Sequence, residues 1–350
     1  MKKYIIFALC ALACVLLALH SAAALQAARE GILLWRDSIL PALLPFFVCA
    51  YIMQSCGALP AKSRSYLYAL CLVSGAPAGA RLAGSAERDE TRLVAALNVV
   101  SPMFICGAFA ANMLGQPKLA PPILIGQLFG ALTLLLLARP APIGKEPRPP
   151  TDPPPALRLM SDGLREGMAA LLSIGATIVF FAAMLALLEE TGALRALTQP
   201  VSRCFALLGL DAQVPRILFM GLLEVVSGCQ AIAESTLPLR QAAALGAFFF
   251  SFGGLCVFAQ SLAFARLSMG RYFKLKLLQG ALAGGLTYLL TPLFLPQAQA
   301  VFTPLQPVQL LRNAVSAALT AGISLLSVSV VFLFAAAAGH AKRGQEKSGG

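Results

Sequence analysis

The sequence predicts an all-α polytopic membrane protein with about eight transmembrane helices, two re-entrant hairpins and two inverted repeats. Its 350 residues are 58% hydrophobic and only 12% charged, and the mean hydropathy is +0.78. These values lie well beyond those of a soluble domain of this length. Uncharged runs of about 20 residues or more recur along the chain, and each is long enough to cross roughly 30 Å of hydrocarbon. Alternating segments of about ten residues are absent, so the α-helix is the expected way to satisfy the backbone in lipid.

The uncharged runs define the predicted spans and their order. They cover residues 4–28, 38–61, 93–117, 119–138, 167–188, 241–265, 277–311 and 313–341. The first run follows Lys2 and Lys3 and ends in small residues, so it is either a signal anchor or a cleaved secretory signal. Both alternatives leave the next segment outside, and the remaining topology is therefore the same.

Lysine and arginine set the predicted orientation, because inside loops carry an excess of these residues. With eight crossings and the N-terminus inside, 19 of the 27 basic residues, Lys276 among them, fall in inside segments. The other 8, which include Arg29 and Arg36, fall outside. Both termini are thus predicted to be cytoplasmic, in the cell (inner) membrane. The net charge of +12 is scattered over short loops, which favours anionic lipid headgroups over nucleic acid as the partner.

A Pro-rich segment at residues 139–163 divides the chain. Its start, from Arg139 to Pro155, is too rich in proline for a helix and too polar for the bilayer. The predicted organisation is an N-terminal signal-anchor helix (1–30), a first repeat (31–138), this cytoplasmic linker (139–163), a second, inverted repeat (164–295) and a C-terminal transmembrane helix with a basic tail (296–350).

Three ordered sequence matches relate the two halves. They pair Gln54–Leu59 with Glu190–Leu194, Val73–Ala76 with Val226–Cys229, and Ser101 with Ser251. Under the predicted topology the matched helices run in opposite directions, so the repeat is inverted. Inverted repeats are the usual construction of secondary transporters, whose solute site lies near the midplane. Gene duplication in a membrane scaffold without transport is the alternative.

Two segments that carry these matches are too short or too interrupted to cross the membrane comfortably. They are residues 65–80, and residues 217–233 with Glu224 inside them. In each, an apolar half-helix runs into a Ser–Gly pair, which predicts re-entrant hairpins that enter from the cytoplasm and from outside, respectively. Irregular backbone survives at that depth only where protein or a water-filled cavity surrounds it. We therefore expect both tips near the midplane.

The hairpin tips and two helix breaks supply candidate solute ligands. Pro77 can occupy the first helical position behind a Ser or Gly cap, which leaves N–H groups and the positive dipole end facing a cavity. Such helix N-termini bind anions, although a single Ser–Gly or Ser–Pro pair also serves packing or kinking. The candidate substrate-binding residues are Ser74, Gly75, Pro77, Asn98, Ser101, Glu224, Ser227, Gly228, Ser251, Gly253 and Gln260. Asn98 and Gln260, near the breaks, either line the cavity or form hydrogen bonds across helices.

Glu224 is the carboxylate that we place within the membrane, where the cost of a charge suggests a functional role. It is either a protonatable group that couples transport or a structural partner for Ser227 and nearby backbone groups. We expect no enzyme activity and no cofactor, because the sequence has no HExxH, GxSxG or Gly-rich phosphate loop. Nine cysteines without a CxxC pair and only two histidines predict no metal site.

The motifs that carry these residues resemble a known family. They are Leu44-Pro45-Phe46-Phe47-Val48, the run Ser74–Ala80, Asn98 with Ser101–Gly107, the run Leu223–Gly228 and the run Ser251–Gln260. Together they are similar to the sporulation integral membrane proteins of the YlbJ type, within the wider nucleoside-recognition or Gate-domain group. The resemblance covers roughly residues 35–290.

The resemblance implies a protein of endospore formers that acts in the mother-cell-derived membrane around the forespore and transports dipicolinic acid toward the forespore. Dipicolinate is a small aromatic dicarboxylate, which suits paired helix N-termini. A non-transporting sporulation scaffold and a nucleoside-type solute transporter are the alternatives. As protein partners, a second copy of the chain and other sporulation membrane proteins both stay open. The family has an acidic residue where this chain has Ser101, which puts coupling or substrate choice in doubt.

Overall fold

The computed structural model describes residues 2–55, 71–72, 74–76, 79–80, 90–137, 155–207 and 211–295. Every regular element within these ranges is helical, as the sequence predicts. The elements are α1 (Lys2–Leu19), α2 (Ser21–Leu34), a π-helical turn (Trp35–Ile39), α3 (Leu40–Ser55), α4 (Thr91–Leu97), a π-helical segment (Phe104–Met113), a 3₁₀ turn (Pro117–Leu119), α5 (Ala120–Leu137), α6 (Ala156–Glu190), α7 (Ala193–Leu207), α8 (Val214–Leu223), α9 (Val225–Ala233), α10 (Leu239–Phe252), α11 (Gly254–Ser261) and α12 (Met269–Phe294). The predicted span 313–341 and the candidate ligand Pro77 lie outside the described residues.

Within these ranges, five helical stretches are long and apolar enough to cross a membrane. They are Ser21–Met53, Pro117–Leu137, Ala156–Glu190, Leu239–Ser261 and Met269–Phe294. Three shorter apolar helices accompany them: Lys3–Leu19, Phe104–Met113 and Val214–Leu223. The described part of the chain is therefore a polytopic helical protein.

Polar and apolar side chains are distributed as in a protein surrounded by lipid. Phe7, Leu136 and Leu293 are 73%, 87% and 74% exposed, whereas Lys276 and Gln279 are completely buried. In water, each exposed apolar surface would cost about 25 cal/mol per Å² relative to burial. Lipid chains remove that cost, and polar groups that lipid cannot satisfy are kept inside the bundle. This arrangement supports membrane embedding independently of helix length.

The second span begins earlier than predicted. Residues from Ser21 to Ser55 form one continuous helical stretch, which contains Arg29 and Arg36 of the predicted outside segment. Arg36 forms an ion pair with Asp37 at 2.6 Å on the exposed surface, which reduces the cost of carrying its charge there. The predicted domain boundary at residue 30 therefore falls inside a helix.

The predicted linker, residues 139–163, overlaps with α6, which begins at Ala156. Pro155 is the N-cap of the helix and has extended backbone angles (φ −53°, ψ 141°). Proline is tolerated at the start of a helix because it has no backbone N–H to leave unpaired there. The first turns of α6 then pack closely on α3: a Cβ placed on Gly163 would lie 3.4 Å from the Val48 backbone oxygen. Packing against α3 thus orders residues that their polar sequence assigns to a linker.

The helices α5, α10 and α12 form a central layer in which α12 runs antiparallel to the other two. The Thr287 hydroxyl donates to the Pro122 carbonyl at 3.2 Å, and the Arg240 guanidinium donates to the Tyr288 carbonyl at 2.8 Å. At the other end of α12, the Ser268 N–H donates to the Thr91 hydroxyl at 2.8 Å. We call these ends of the bundle the Arg240 end and the Thr91 end.

Small residues allow this layer to pack closely, as is common between membrane helices. A Cβ placed on Gly126 of α5 would lie 2.5 Å from the carbonyl oxygen of Ala283 on α12. A Cβ placed on Gly284 would lie 2.9 Å from the carbonyl oxygen of Ala244 on α10. The three backbones therefore approach to a distance that larger residues at these positions would prevent.

Candidate functional site

The helices α8 and α9 form a closed helical hairpin. The Gln213 side-chain amide donates to the Thr236 hydroxyl at 2.8 Å, so the chain enters and leaves the hairpin at the same end. Its arms cross at two glycines: a Cβ placed on Gly228 would lie only 2.4 Å from the Gly221 Cα. Between these glycines the chain bends at Glu224, whose backbone is extended (φ −144°, ψ 124°). Residues 214–233 thus have the hairpin shape that the sequence predicts, and the open end faces the Arg240 end of the bundle.

Glu224 is the N-cap of α9 and is only 3% exposed. Its carboxylate accepts the backbone N–H of Val226 at 3.0 Å, the backbone N–H of Ser227 at 2.6 Å and the Ser227 hydroxyl at 2.9 Å. These donors, together with the positive end of α9, stabilise a negative charge in a buried place. The helix N-terminus that the sequence offers to an external anion is therefore occupied by a carboxylate of the chain itself.

The described residues of the first predicted hairpin give the geometry of its tip. Gly75 has a positive φ of 76°, which only glycine adopts without strain. Its N–H donates to the Cys71 carbonyl at 3.0 Å, and the next N–H, of Ala76, donates to the Val99 carbonyl at 2.6 Å. A Cβ placed on Gly75 would lie 2.7 Å from the Ser101 nitrogen. This tip therefore packs directly on the chain that follows α4.

Two helices break where the sequence predicts. After α4 ends at Leu97, residues 98–101 are not helical, and the helix resumes beyond Ser101. The second break lies between α10 and α11, where Gly253 and Gly254 have φ values of 82° and 69°. The two breaks meet, because the Val100 N–H donates to the Phe250 carbonyl at 3.2 Å.

The second break also contacts the tip of the α8–α9 hairpin. A Cβ placed on Gly254 would lie 3.2 Å from the Gly221 carbonyl oxygen and 3.3 Å from the Leu223 carbonyl oxygen. Each break is thus packed against the hairpin tip that is nearest to it in sequence. Within the described ranges, both tips and both breaks form one continuous group.

A cavity of about 70 Å³ lies inside this group. Four of the predicted ligands line it, namely Ser74, Ser101, Glu224 and Gln260. The rest of the lining is mainly apolar, and none of the described lining residues is Lys or Arg. Liquid water takes up about 30 Å³ per molecule, so the cavity has room for about two waters. The Gln260 side chain donates to the Thr177 hydroxyl at 2.8 Å and so ties α11 to α6 at the cavity wall.

Six further predicted ligands are described and do not line the cavity, and one of them, Gly75, forms the left-handed turn of the first hairpin tip. Ser227 binds the Glu224 carboxylate, Gly228 forms the arm crossing and Gly253 forms the left-handed turn. The Asn98 side-chain amide donates instead to the Ser261 hydroxyl at 2.6 Å and the Tyr272 hydroxyl at 3.2 Å. The Ser251 hydroxyl is completely buried and has no hydrogen-bond partner among the described residues. Asn98 therefore links the first break to neighbouring helices, and neither Asn98 nor Ser251 lines the cavity.

Sequence reasoning missed a buried lysine beside Asn98. Lys276, predicted to lie in an inside segment, is completely buried on α12. Its Nζ lies 2.7 Å from the Asn98 carbonyl, 3.2 Å from the Ala95 carbonyl and 2.9 Å from the Gln279 Oε1. The signal that identifies it is a polar stripe on one face of α12, formed by Tyr272, Lys276, Gln279 and Thr287 at helical spacing.

A larger cavity of about 410 Å³ lies at the open end of the α8–α9 hairpin. Its wall is polar and includes Arg195, Gln199, Arg216 and Glu234. Arg216 also forms an ion pair with Glu189 of α6 on the exposed surface. The two cavities have no lining residue in common. We assign the candidate site to the smaller cavity, because the helix breaks and the buried carboxylate converge there.

The described residues thus define a polytopic helical membrane protein with a mainly apolar cavity that contains a buried carboxylate and lies beside a helical hairpin and two broken helices. The sequence matches no family model, and no solved structure matches it. It is similar to the sporulation integral membrane protein YlbJ of Bacillus subtilis (strain 168), with 24% identity over 320 residues that cover 77% of this chain and 78% of that protein. This similarity supports the assignment of the chain to the YlbJ type of sporulation integral membrane proteins, the family that its motifs resemble.

Proposed function

We propose that the chain is a membrane transporter or gate for a small anionic solute, and that the solute passes through the cavity beside Glu224. One observation carries this proposal: the α8–α9 hairpin bends at a buried carboxylate, and the tip of this hairpin contacts a broken helix. Discontinuous helices of this kind hold solutes near the midplane in secondary transporters. The similarity to a sporulation protein supports a role in endospore formation. The family resemblance supports dipicolinate as the solute, moved toward the forespore.

The proposed architecture consists of eight spans, the last at residues 313–341, and two inverted repeats. Two contacts support the repeat: the Gly75 tip packs on Ser101, and the α8–α9 tip packs on Gly254. The bond between Val100 and Phe250 then joins the halves at their breaks. The second hairpin opens at the Arg240 end, in agreement with entry from outside. Both termini are proposed to be cytoplasmic, with the chain in the mother-cell-derived membrane around the forespore.

The size of the cavity implies that this conformation is closed. A cavity for about two waters is too small for an aromatic dicarboxylate, so at least one hairpin tip must move before the solute binds. The α8–α9 tip is the better candidate, because it carries the charged group of the cavity. In this mechanism the arm crossing at Gly221 and Gly228 keeps the hairpin rigid while its tip is displaced.

The position of Glu224 makes competition with an anionic solute unavoidable. Its carboxylate already holds the N–H groups of Val226 and Ser227, and a second negative charge beside it would be repelled. A solute carboxylate can bind there only if Glu224 becomes protonated or releases these donors. The first route makes Glu224 a proton-coupling group. The second makes it a structural partner of Ser227 and the backbone that the solute displaces. Both interpretations of this residue therefore become testable.

The deciding experiment measures uptake of labelled dipicolinate into vesicles that contain the purified protein. The parent is compared with Glu224→Gln and Ser227→Ala, and with Glu234→Gln as a matched control. Glu234 lies on the same hairpin but at its open end, where its carboxylate accepts a bond from Gln230 at 2.8 Å. We expect uptake by the parent and by Glu234→Gln, a reduced rate for Ser227→Ala, and loss of uptake or of its proton dependence for Glu224→Gln.

Other outcomes point to other functions. Absence of parent uptake above empty vesicles, under any imposed proton or sodium gradient, would overturn the transporter proposal in favour of a gate that needs a partner or a sporulation scaffold. Uptake of a nucleoside in place of dipicolinate would favour the nucleoside-type alternative. Equal loss in Glu224→Gln and Glu234→Gln, with both variants folded, would show that the site does not lie at the hairpin tip.

A further inference from the structure

Lys276 is a buried lysine at the end of a broken helix. It lies on the second turn of α12 and is completely buried. Its three contacts are all oxygens: the Ala95 and Asn98 carbonyls and the Gln279 Oε1. In the part of the chain that the structure describes, no carboxylate is paired with it. Three acceptors around Nζ match the three hydrogens of an ammonium group.

The end of α4 explains why a positive charge is stable there without a carboxylate. The last carbonyls of a helix have no partner within the helix and carry its partial negative charge. Lys276 satisfies two carbonyls at this end, and the Gln279 amide donates to a third, that of Ala96, at 3.3 Å. The helix α12 thus closes the α4 break with side chains that reach across from a neighbouring span.

The same set of oxygens is what an alkali-metal ion would bind. Unwound backbone carbonyls and the C-terminal ends of broken helices coordinate Na⁺ in secondary transporters. Here two carbonyls and one side-chain amide oxygen already converge on one point.

We propose that Lys276 is a resident cation, whose ammonium group fills a potential Na⁺ or K⁺ site formed by the Ala95 carbonyl, the Asn98 carbonyl and the Gln279 Oε1. The native protein therefore needs no alkali-metal ion at the α4 break. Removal of the side chain leaves the oxygens in place and creates a site that a monovalent cation can occupy. One consequence is that no coupling ion binds at this break during transport. This consequence rests on the function proposed above, whereas the proposed cation site does not.

The test is the thermal unfolding midpoint of the purified protein in detergent, measured in NaCl, KCl and choline chloride at equal ionic strength. The parent is expected to unfold at the same temperature in all three salts. Lys276→Ala should unfold at a lower temperature in choline chloride and recover as Na⁺ or K⁺ is added, because a ligand that binds only the folded state stabilises it in proportion to ln(1 + [L]/Kd). Lys276→Met removes the charge but fills the space with a chain of similar length, so no recovery is expected.

Two results would overturn the proposal. One is a parent whose midpoint itself depends on Na⁺ or K⁺, a measurement that needs no variant. The other is a Lys276→Ala protein that responds equally to choline, Na⁺ and K⁺. If this variant aggregates, Lys276→Thr provides the same comparison with a smaller void and an added hydroxyl oxygen. The readout is folding and not uptake, so its failure is distinguishable from a failure of the proposed transport function.

Discussion

The arm crossing of the α8–α9 hairpin gives a prediction that can be worked out atom by atom. A Cβ placed on Gly221 would lie 2.3 Å from Cζ and 2.4 Å from Cε1 of Phe249, whose side chain is completely buried. A Cβ placed on Gly228 would instead lie 2.4 Å from the Gly221 Cα. Overpacking of a well-packed interior costs typically 1–3 kcal/mol. We expect Gly221→Ala and Gly228→Ala each to reach about 3 kcal/mol, since neither site has open space beside it.

The two substitutions should differ in how they respond to a smaller residue at position 249. Phe249→Leu removes the ring atoms that a Cβ on Gly221 would meet, so the double variant should lose less stability than the sum of the single changes. Coupling between residues in contact is about 0.5–3 kcal/mol, and we expect at least about 1 kcal/mol here. Gly228→Ala should keep most of its cost in the Phe249→Leu background, because its closest clash is with backbone.

The assay is the thermal unfolding midpoint in detergent, with Gly285→Ala as the control. Gly285 lies within α12 and has no atom within 4 Å of an added Cβ, so alanine should be neutral or stabilising by up to about 1 kcal/mol through helix propensity. If Gly228→Ala and Gly285→Ala unfolded at the same temperature, the two arms would not cross as described. Equal relief of both hairpin variants by Phe249→Leu would contradict the assignment of the Gly228 clash to backbone.

Two further predictions use the same midpoint assay and the uptake assay. Gly75→Ala forces a side chain into a left-handed conformation, at a cost of about 1–2 kcal/mol, and the added Cβ pushes on the Ser101 backbone. This substitution should lower the midpoint and abolish dipicolinate uptake. Normal uptake would show that this tip does not form the site. Arg216→Gln removes the ion pair between Arg216 and Glu189, whose side chains are 50% and 44% exposed, respectively. Exposed ion pairs contribute about 0–1 kcal/mol, so the midpoint should barely change. A larger loss of stability would mean that the pair holds the hairpin on α6.

Local sequence signals were sufficient to place four of the cavity residues. Ser74 and Ser101 were found beside residues that break helices, and Glu224 was found as a lone carboxylate in an apolar segment. Gln260 was found as a polar residue near a break. Each of these signals depends on one segment only, and the fold then brings the four side chains to the wall of one cavity.

Properties that depend on several helices could not be obtained in this way. Lys276 was counted with the basic residues of a loop, and its burial depends on α4 ending at Leu97 beside it. Asn98 was predicted either to line the cavity or to bond across helices, and only the packing of neighbouring helices brings its amide to Ser261 and Tyr272. Tertiary packing determines which face of a broken helix contacts which neighbouring helix. The pattern of a single segment does not contain this information.

Helix ends were misplaced for a related physical reason. Runs of uncharged residues were taken as spans. Arg29 was therefore taken to follow the end of the first span, and Arg36 to precede the start of the second. Long basic side chains extend their charged groups away from apolar surroundings while the backbone stays helical, and the helical stretch from Ser21 to Ser55 therefore continues through both positions. The polar start of α6 at Ala156 shows the same limitation, since its packing on α3 decides its conformation.

The hydrogen bonds at the meeting point of the breaks suggest how solute binding and opening are linked in the proposed mechanism. A helix that breaks inside a membrane exposes backbone groups that lipid cannot satisfy. Here the Val100 N–H is taken by Phe250, and the Val100 carbonyl is taken by the Gln127 amide at 2.9 Å. The first hairpin tip takes the Val99 carbonyl. If a tip moved away without a replacement, buried donors or acceptors would be left unpaired, at about 1–3 kcal/mol each. Displacement of the first tip would unpair the Ala76 N–H and the Val99 carbonyl unless a solute carboxylate accepts the N–H. The donors that Glu224 holds belong to the α8–α9 tip itself and move with it. In the proposed mechanism, opening of the α8–α9 tip should therefore cost less than opening of the first tip.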